Sequence, residues 1–539
     1  MLRPASAAPL ATIFRRLPDL SFFLLGILWT FLVMPASPRN MVTDSFRRFR
    51  SAAWIWSGEN PGGRLPGLDG FGHHWDGVGQ SLLFVPFDMG ISALGARDIA
   101  TRYSIMARVL FPLVNGLVLF LSWHALRLLG FRPRIASIGT LVTLACSTLT
   151  FHFQNNQENP LMLTYALAAL IGILRWSESG SLAWLNLACA AQAGSISIRI
   201  TNLAYVLPLF GIPMLTRMFD PSQPWDWRDE LRRLAKLAIV AIPWLVLALA
   251  IDRWWQWIRF GTLKGTYYSV FKEWATTHFE NLPAGFPFSV PFSEGFWGQL
   301  SSPAKGVVFY EPIIAASLLL WLLTREKANA RTKALVVAGA VACIGTAFGL
   351  ARLYYWDSDP NWGPRYLATP AHLVELPLAA WMASTLRRRT WLRRLMICGA
   401  LCLIAFQVSG IWLPAYHENI VRSSKRNPEE ARRASEYWSR GLPTVDAESH
   451  QDWVVVNRPV DVATDIARQL TLPTDQWMAG NPPMRMIWIT GTLKSLSPPV
   501  RWVIRLTWLA GLGLALWLAR QSILGDAEPV DARSPSSVD

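Results

Sequence analysis

The chain has 539 residues, of which 52% are apolar and 16% charged, against roughly 25% charged in an ordinary soluble domain. Lys and Arg number 51 and Asp and Glu 36, a net charge of +15, but the basic residues fall in short clusters between long apolar runs, not along one polar face. That excludes a soluble globular or nucleic-acid-binding protein and predicts an all-α polytopic membrane protein, since apolar segments of about 17 to 25 residues match a bilayer core.

The first apolar run, 20–35, follows Arg3, Arg15 and Arg16. It is long for a signal peptide, and Pro38 sits just after the only small-residue pair, Ala36-Ser37, so it reads as an uncleaved first span. Residues 37–103 form the first outer loop. Within it, 44–56 reads as an amphipathic helix along the membrane: Phe46, Phe49, Ala53 and Trp56 make one stripe, with Arg47, Arg48 and Arg50 off it. Asp44 heads this helix, either as an N-cap or as a carboxylate at the membrane surface within reach of a lipid head group. The His73-His74-Trp75-Asp76 stretch is flanked by glycines and reads as a loop; adjacent histidines do not share a helix face and make a poor metal pair. Residues 81–95 are apolar but short, interrupted by Pro86 and Asp88, and are expected to be interfacial or re-entrant.

Further spans are predicted at 104–127, 135–151, 161–176, 182–197, 202–216, 234–251, 307–324, 334–350, 369–386, 395–414 and 501–519, giving about 12 in all. Basic clusters then fall in short connections at 127–134, 217–236, 325–333 and 387–394, and long segments at 37–103, 252–306, 352–368 and 415–500 fall on the other side. By the positive-inside rule both termini are cytoplasmic. The organisation is a cytoplasmic start (1–19), a transmembrane module (20–414), an outer segment (415–500), a last helix (501–519) and a polar tail (520–539). All five cysteines lie in apolar runs and read as small buried hydrophobes.

Chemistry-bearing residues concentrate in the outer connections. Glu158, in Gln157-Glu158-Asn159-Pro160, either begins the next helix or faces a cavity. Arg199 is the ionisable residue deep in the 182–216 pair, and an outer-loop carboxylate is its expected partner. Arg259, Lys264 and Tyr267 follow the span at 234–251, Lys305 precedes the span at 307–324, and Arg365 and Tyr366 close the loop before 369. Asp357 and Asp359 resemble a metal-binding pair only superficially and read as solvated.

The ordered set of motifs resembles the bacterial membrane glycosyltransferases of the GT-C superfamily, in the group related to protein mannosyltransferases and aminoarabinose transferases. The matching stretches are Asp44 in the first outer loop, Gly79-Gln80-Ser81-Leu82-Leu83 with Pro86, Glu158-Asn159-Pro160, and Arg259-Phe260-Gly261-Thr262 with Gly265-Thr266-Tyr267. Ser302-Pro303-Ala304-Lys305-Gly306 with Tyr310-Glu311-Pro312, and Trp362-Gly363-Pro364-Arg365-Tyr366-Leu367, complete the set. The resemblance covers about residues 20–390. It implies a polyprenyl-phosphate sugar as donor, a lipid or glycan acceptor, and a bacterial inner membrane with the active face outward. It also implies Asp44 as general base and Glu158 as a second acid. The sequence departs from protein mannosyltransferases in that Asp44 is followed by Ser45, not by an acid, and nothing matches beyond about 415.

A lipid-phosphate leaving group departs as an anion, so it needs cations. Arg365, Arg259, Lys264 and Lys305 are the candidates, with Gln80, Tyr267 and Tyr366 as further binding residues. One base and a single displacement predict inversion at the anomeric carbon, and no cofactor or metal is required if the arginines suffice. Two alternatives stay open. A transporter or flippase for lipid-linked sugars would need intramembrane charges and broken helices, and a polymerase or ligase would fit basic residues in the 415–500 segment.

Overall fold

The computed structural model describes residues 18–33, 44–58, 77–154, 158–220, 222, 226–264, 269, 272, 284–302, 306–324, 327–353, 365–386, 390–404, 407 and 498–524. The predicted cytoplasmic start up to residue 17, His73 to Asp76, Asp357 to Pro364, the outer segment 415–497 and the tail from 525 lie outside the described residues. Among those described, regular structure is helical throughout, with no strand.

Helix α1 (Pro18–Val33) is followed by α2 (Asp44–Ser57), α3 (Gly79–Ala93) and α4 (Ile99–Leu128). Next come α5 (Pro133–Cys146), α6 (Leu149–Gln154), α7 (Asn159–Ser179) and α8 (Leu182–Ile198). A 3-10 turn (Ile200–Tyr205) then leads to α9 (Val206–Phe210), α10 (Ile212–Phe219) and α11 (Trp227–Phe260). Then follow α12 (Phe292–Ser301), α13 (Val307–Tyr310), α14 (Pro312–Thr324), α15 (Ala330–Leu350), α16 (Ala368–Leu386) and α17 (Pro498–Leu524). Residues 390–404 are also helical.

Four helices are long and apolar enough to cross a membrane: Ile99–Leu128, Asn159–Ser179, Trp227–Ile258 and Ala330–Leu350. Of the shorter apolar helices, Leu20–Val33 and Pro133–Cys146 pack on α4, Leu182–Ile198 packs on α7, and Pro312–Thr324 packs on α16. The chain is thus a multi-pass membrane protein of all-α fold. Its main core joins Phe22, Leu119, Leu126, Leu167, Leu170, Leu185, Leu335 and Leu373 from α1, α4, α7, α8, α15 and α16. Burying such chains between helices gains van der Waals contact, which is what holds helices together where the surroundings are themselves apolar.

Several expected elements differ from those observed. The run at 135–151 is not one helix: it stops at Cys146, passes through extended Ser147, and restarts as α6. The run at 307–324 breaks at Glu311, and that at 202–216 is a 3-10 turn followed by two short helices. Conversely, the aromatic-basic stretch after 251, expected in a loop, continues α11 to Phe260, where Gly261 at φ 67° ends it. At the first break Thr148 bonds elsewhere in place of the helical ladder: its N–H donates to the Glu311 carboxylate at 3.1 Å.

The bundle has two chemically distinct ends. At one, Arg331 Nη1 donates to the Leu128 carbonyl at 2.8 Å and to Glu178 at 2.6 Å, and Asn329 donates to the Leu129 carbonyl at 3.0 Å. The other end gathers α2, the start of α3, the start of α7, the end of α8 and the start of α16. Helix α7 runs between them, from Asn159 to Ser179, and a helix of that length spans about 30 Å, the thickness of a bilayer core.

Candidate functional site: an arginine cluster around Glu158

Helix α2 lies on the bundle end through Phe49, Ala52 and Ala53, which are fully buried; Phe49 packs on Phe84 and Tyr103 at ring separations of 6.1 and 5.5 Å. Arg48, which lies off the apolar stripe, is not solvent-exposed as that stripe implied. Arg48 is 1% exposed, because the surface it covers supplies a carboxylate. Its Nη1 donates to Glu158 Oε2 at 2.7 Å and also to Gln80 Oε1. Gln80 in turn donates to the Ser45 hydroxyl at 2.9 Å. Gln80 reaches this place because Gly77 and Gly79 lie against the Ser197–Ile198 backbone, where any Cβ would collide.

Glu158 is fully buried. It occupies the N-cap position of α7 but makes no capping hydrogen bond; its side chain turns to cations from three other parts of the chain. Besides Arg48, Arg199 Nη2 lies 2.8 Å from Oε1, and Arg365 Nη2 lies 2.9 Å from Oε1 and 3.1 Å from Oε2. Arg199 is freed for this by its own backbone, which ends α8 in an extended conformation at φ −150° and ψ 116°. Its guanidinium also stacks on the Tyr366 ring at 4.9 Å, a cation–π contact. Burial pushes the Glu158 carboxyl up, but Arg365, Arg48 and Arg199 outweigh it and hold it well below the usual carboxylate range.

Three guanidiniums, those of Arg48, Arg199 and Arg365, converge on the one carboxylate of Glu158. Arg48 and Arg365 are almost fully buried, whereas the Arg199 side chain keeps 18% of its surface. Arg199 is therefore the most accessible of the three cations.

Of the residues singled out from sequence, the fold brings together Glu158, Arg365, Gln80 and Tyr366. Arg199, expected to need a carboxylate, meets Glu158. Asp44 opens α2 one turn before Arg48; its side chain, that of Arg259, and residues Tyr267 and Lys305 lie outside what is described. Lys264 is exposed beyond the end of α11 and does not belong to the set that binds Glu158. Arg48 and Ser45 were not singled out. The four-residue spacing of Asp44 and Arg48 was the available signal, since it places both on one helix face.

A second polar group adjoins the first. Asn159 Nδ2 lies 3.0 Å from His152 Nδ1 and 3.5 Å from the Arg365 carbonyl, and the His152 ring meets His372 edge-on at 6.3 Å. His372, Glu375 and Glu311 lie together beyond it, all fully buried. No family model matches the chain, and neither a curated protein nor a solved structure does. The site is read from its own geometry.

Proposed function

We propose that the chain is an inverting glycosyltransferase of GT-C type. It would take a sugar from a polyprenyl-phosphate donor to an acceptor hydroxyl on a lipid or glycan, at the outer face of a bacterial inner membrane. In this reading it has about 12 spans and both termini are cytoplasmic. The observation that supports it most is the convergence of Arg48, Arg199 and Arg365 on one buried carboxylate, Glu158. The acceptor oxygen attacks the anomeric carbon as its proton passes to Asp44, and the bond from that carbon to the phosphate oxygen breaks. The lipid phosphate leaves with the electron pair, and Arg199 and Arg365 stabilise the charge that develops on it. Glu158 is then a positioning residue: a carboxylate held by three guanidiniums is a poor proton acceptor, and its work is to keep like-charged arginines together.

One set of observations favours a second reading, transport of a lipid-linked sugar. Helices break at Ser147, Arg199 and Glu311, and buried ionisable groups stand beside those breaks, as a carrier requires.

The test is sugar transfer by purified protein from a panel of polyprenyl-phosphate sugars, wild type against Asp44→Asn. The amide retains a capping oxygen, so the variant folds, and loss of a general base lowers turnover by about 10²-fold or more. Equal turnover by the two proteins removes Asp44 from the mechanism. Absence of transfer by wild type, together with movement of a labelled donor across reconstituted vesicles, establishes transport instead.

A further inference from the structure

We propose that Glu311, His372 and Glu375 form a buried binding site for one divalent transition-metal ion of the zinc type. One imidazole nitrogen and two carboxylate oxygens lie within 4.8 Å of one another, and His372 Nε2 stands 3.7 Å from Glu311 Oε1. Ligand atoms around tetrahedral zinc, at about 2.0–2.1 Å from the metal, are about 3.4 Å apart. The three donors therefore close on an ion by side-chain movements of about 1 Å or less each.

Glu311 accepts from Thr148. The other two donors are not so engaged: His372 Nε2 and both carboxylate oxygens of Glu375 are buried without a hydrogen-bond partner outside the cluster among the described residues. Neither glutamate is ion-paired to a described lysine or arginine. Two adjacent carboxylates buried in an apolar bundle repel each other and are costly without a cation. Glu375 lies seven residues into α16, about 10 Å along its axis, where water is scarce. The mixed nitrogen and oxygen set favours zinc, manganese or cobalt over magnesium and calcium, which prefer all-oxygen shells.

The surroundings suit a fixed ion. Glu311 sits in the break between α13 and α14 and accepts from both the N–H and the hydroxyl of Thr148, in the break between α5 and α6. Such outer hydrogen bonds orient a ligating carboxylate. An ion here ties both helix breaks to α16, directly beside the segment that carries Arg365. The inference stands on these contacts and not on the transferase reading.

Full-length protein purified without a histidine tag tests it by metal content, as isolated and after chelation and reloading with Zn²⁺, Mn²⁺ or Co²⁺. Wild type is expected to hold one ion per chain, with a visible Co²⁺ spectrum of low-coordinate type. Single variants His372→Gln and Glu375→Gln should bind at least about 10²-fold more weakly, the scale on which even an outer partner of a ligand acts. The double variant Glu311→Gln with Glu375→Gln removes both buried charges, so it should fold without metal, as its thermal unfolding will show, and hold none. If wild type retains no more of any of the three metals than this double variant, the glutamates share a proton and the proposal fails. It fails equally if the single variants keep the ion at wild-type affinity.

Discussion

Replacing Glu158 is the most informative perturbation of this fold. Glu158→Ala removes the carboxylate on which Arg48, Arg199 and Arg365 converge, two of them almost wholly out of water. Removing one partner of a buried pair costs about 3–5 kcal/mol, and here a single carboxylate serves three cations, so the upper part of that range applies. For comparison, the Arg232–Asp229 pair at 3.3 Å is mostly exposed, and Asp229→Ala should cost no more than about 1 kcal/mol. Thermal unfolding in detergent, followed by intrinsic tryptophan fluorescence, reads both. The expected result is a fall of several degrees for Glu158→Ala and almost none for Asp229→Ala. Acid supplies a second signature. Because the folded carboxyl titrates well below its usual value, its stabilisation is complete above the unfolded value near pH ~4.3. It is lost as pH falls from there through the folded value. Glu158→Gln should remove that acid-dependent loss while keeping the shape of the side chain. A Glu158→Ala protein that unfolds with wild type would refute the view that this carboxylate holds the cluster together.

Two other changes separate chemistry from packing. Arg365→Lys keeps the charge but loses the planar fork that reaches Glu158 with one nitrogen at 2.9 and 3.1 Å; it should lower transfer by at least about 10-fold with little change in unfolding temperature, measured by turnover and fluorescence in parallel. Gly116→Ala should destabilise by about 1–3 kcal/mol, because its new Cβ would lie 2.7 Å from the Phe23 carbonyl where α1 crosses α4; normal unfolding of this variant would mean that the two helices are not packed so closely.

Much of the architecture could be read directly from the order of residues. Apolar runs of membrane length mark where the long helices fall, because hydrocarbon admits only segments whose backbone bonds internally. The amphipathic helix of the first loop, the basic connections, and the need of Arg199 for a carboxylate are likewise local or nearly local properties. Glu158 and Arg365 were visible as charged residues in awkward places, since a charge near the bilayer is costly enough to mark itself, whereas Gln80 and Tyr366 stood out only within the stretches that carry the resemblance.

What each of them meets was settled only by packing. The stripe of α2 placed Arg48 among solvated residues, yet it is buried because Glu158, 110 positions later, closes over it. Glu158 looked equally able to begin a helix or to face a cavity, and the choice fell to Arg199 and Arg365, the latter 207 positions away. The helix breaks at Ser147 and Glu311 leave no trace in hydrophobicity, since the bond that replaces the ladder comes from another helix. Glu311, His372 and Glu375 lay within apolar runs as isolated polar letters. Periodicity reports which face of one helix is apolar, whereas a charge site is a property of several helices at once. Its energy depends on distances of a few ångströms that exist only after the helices have packed.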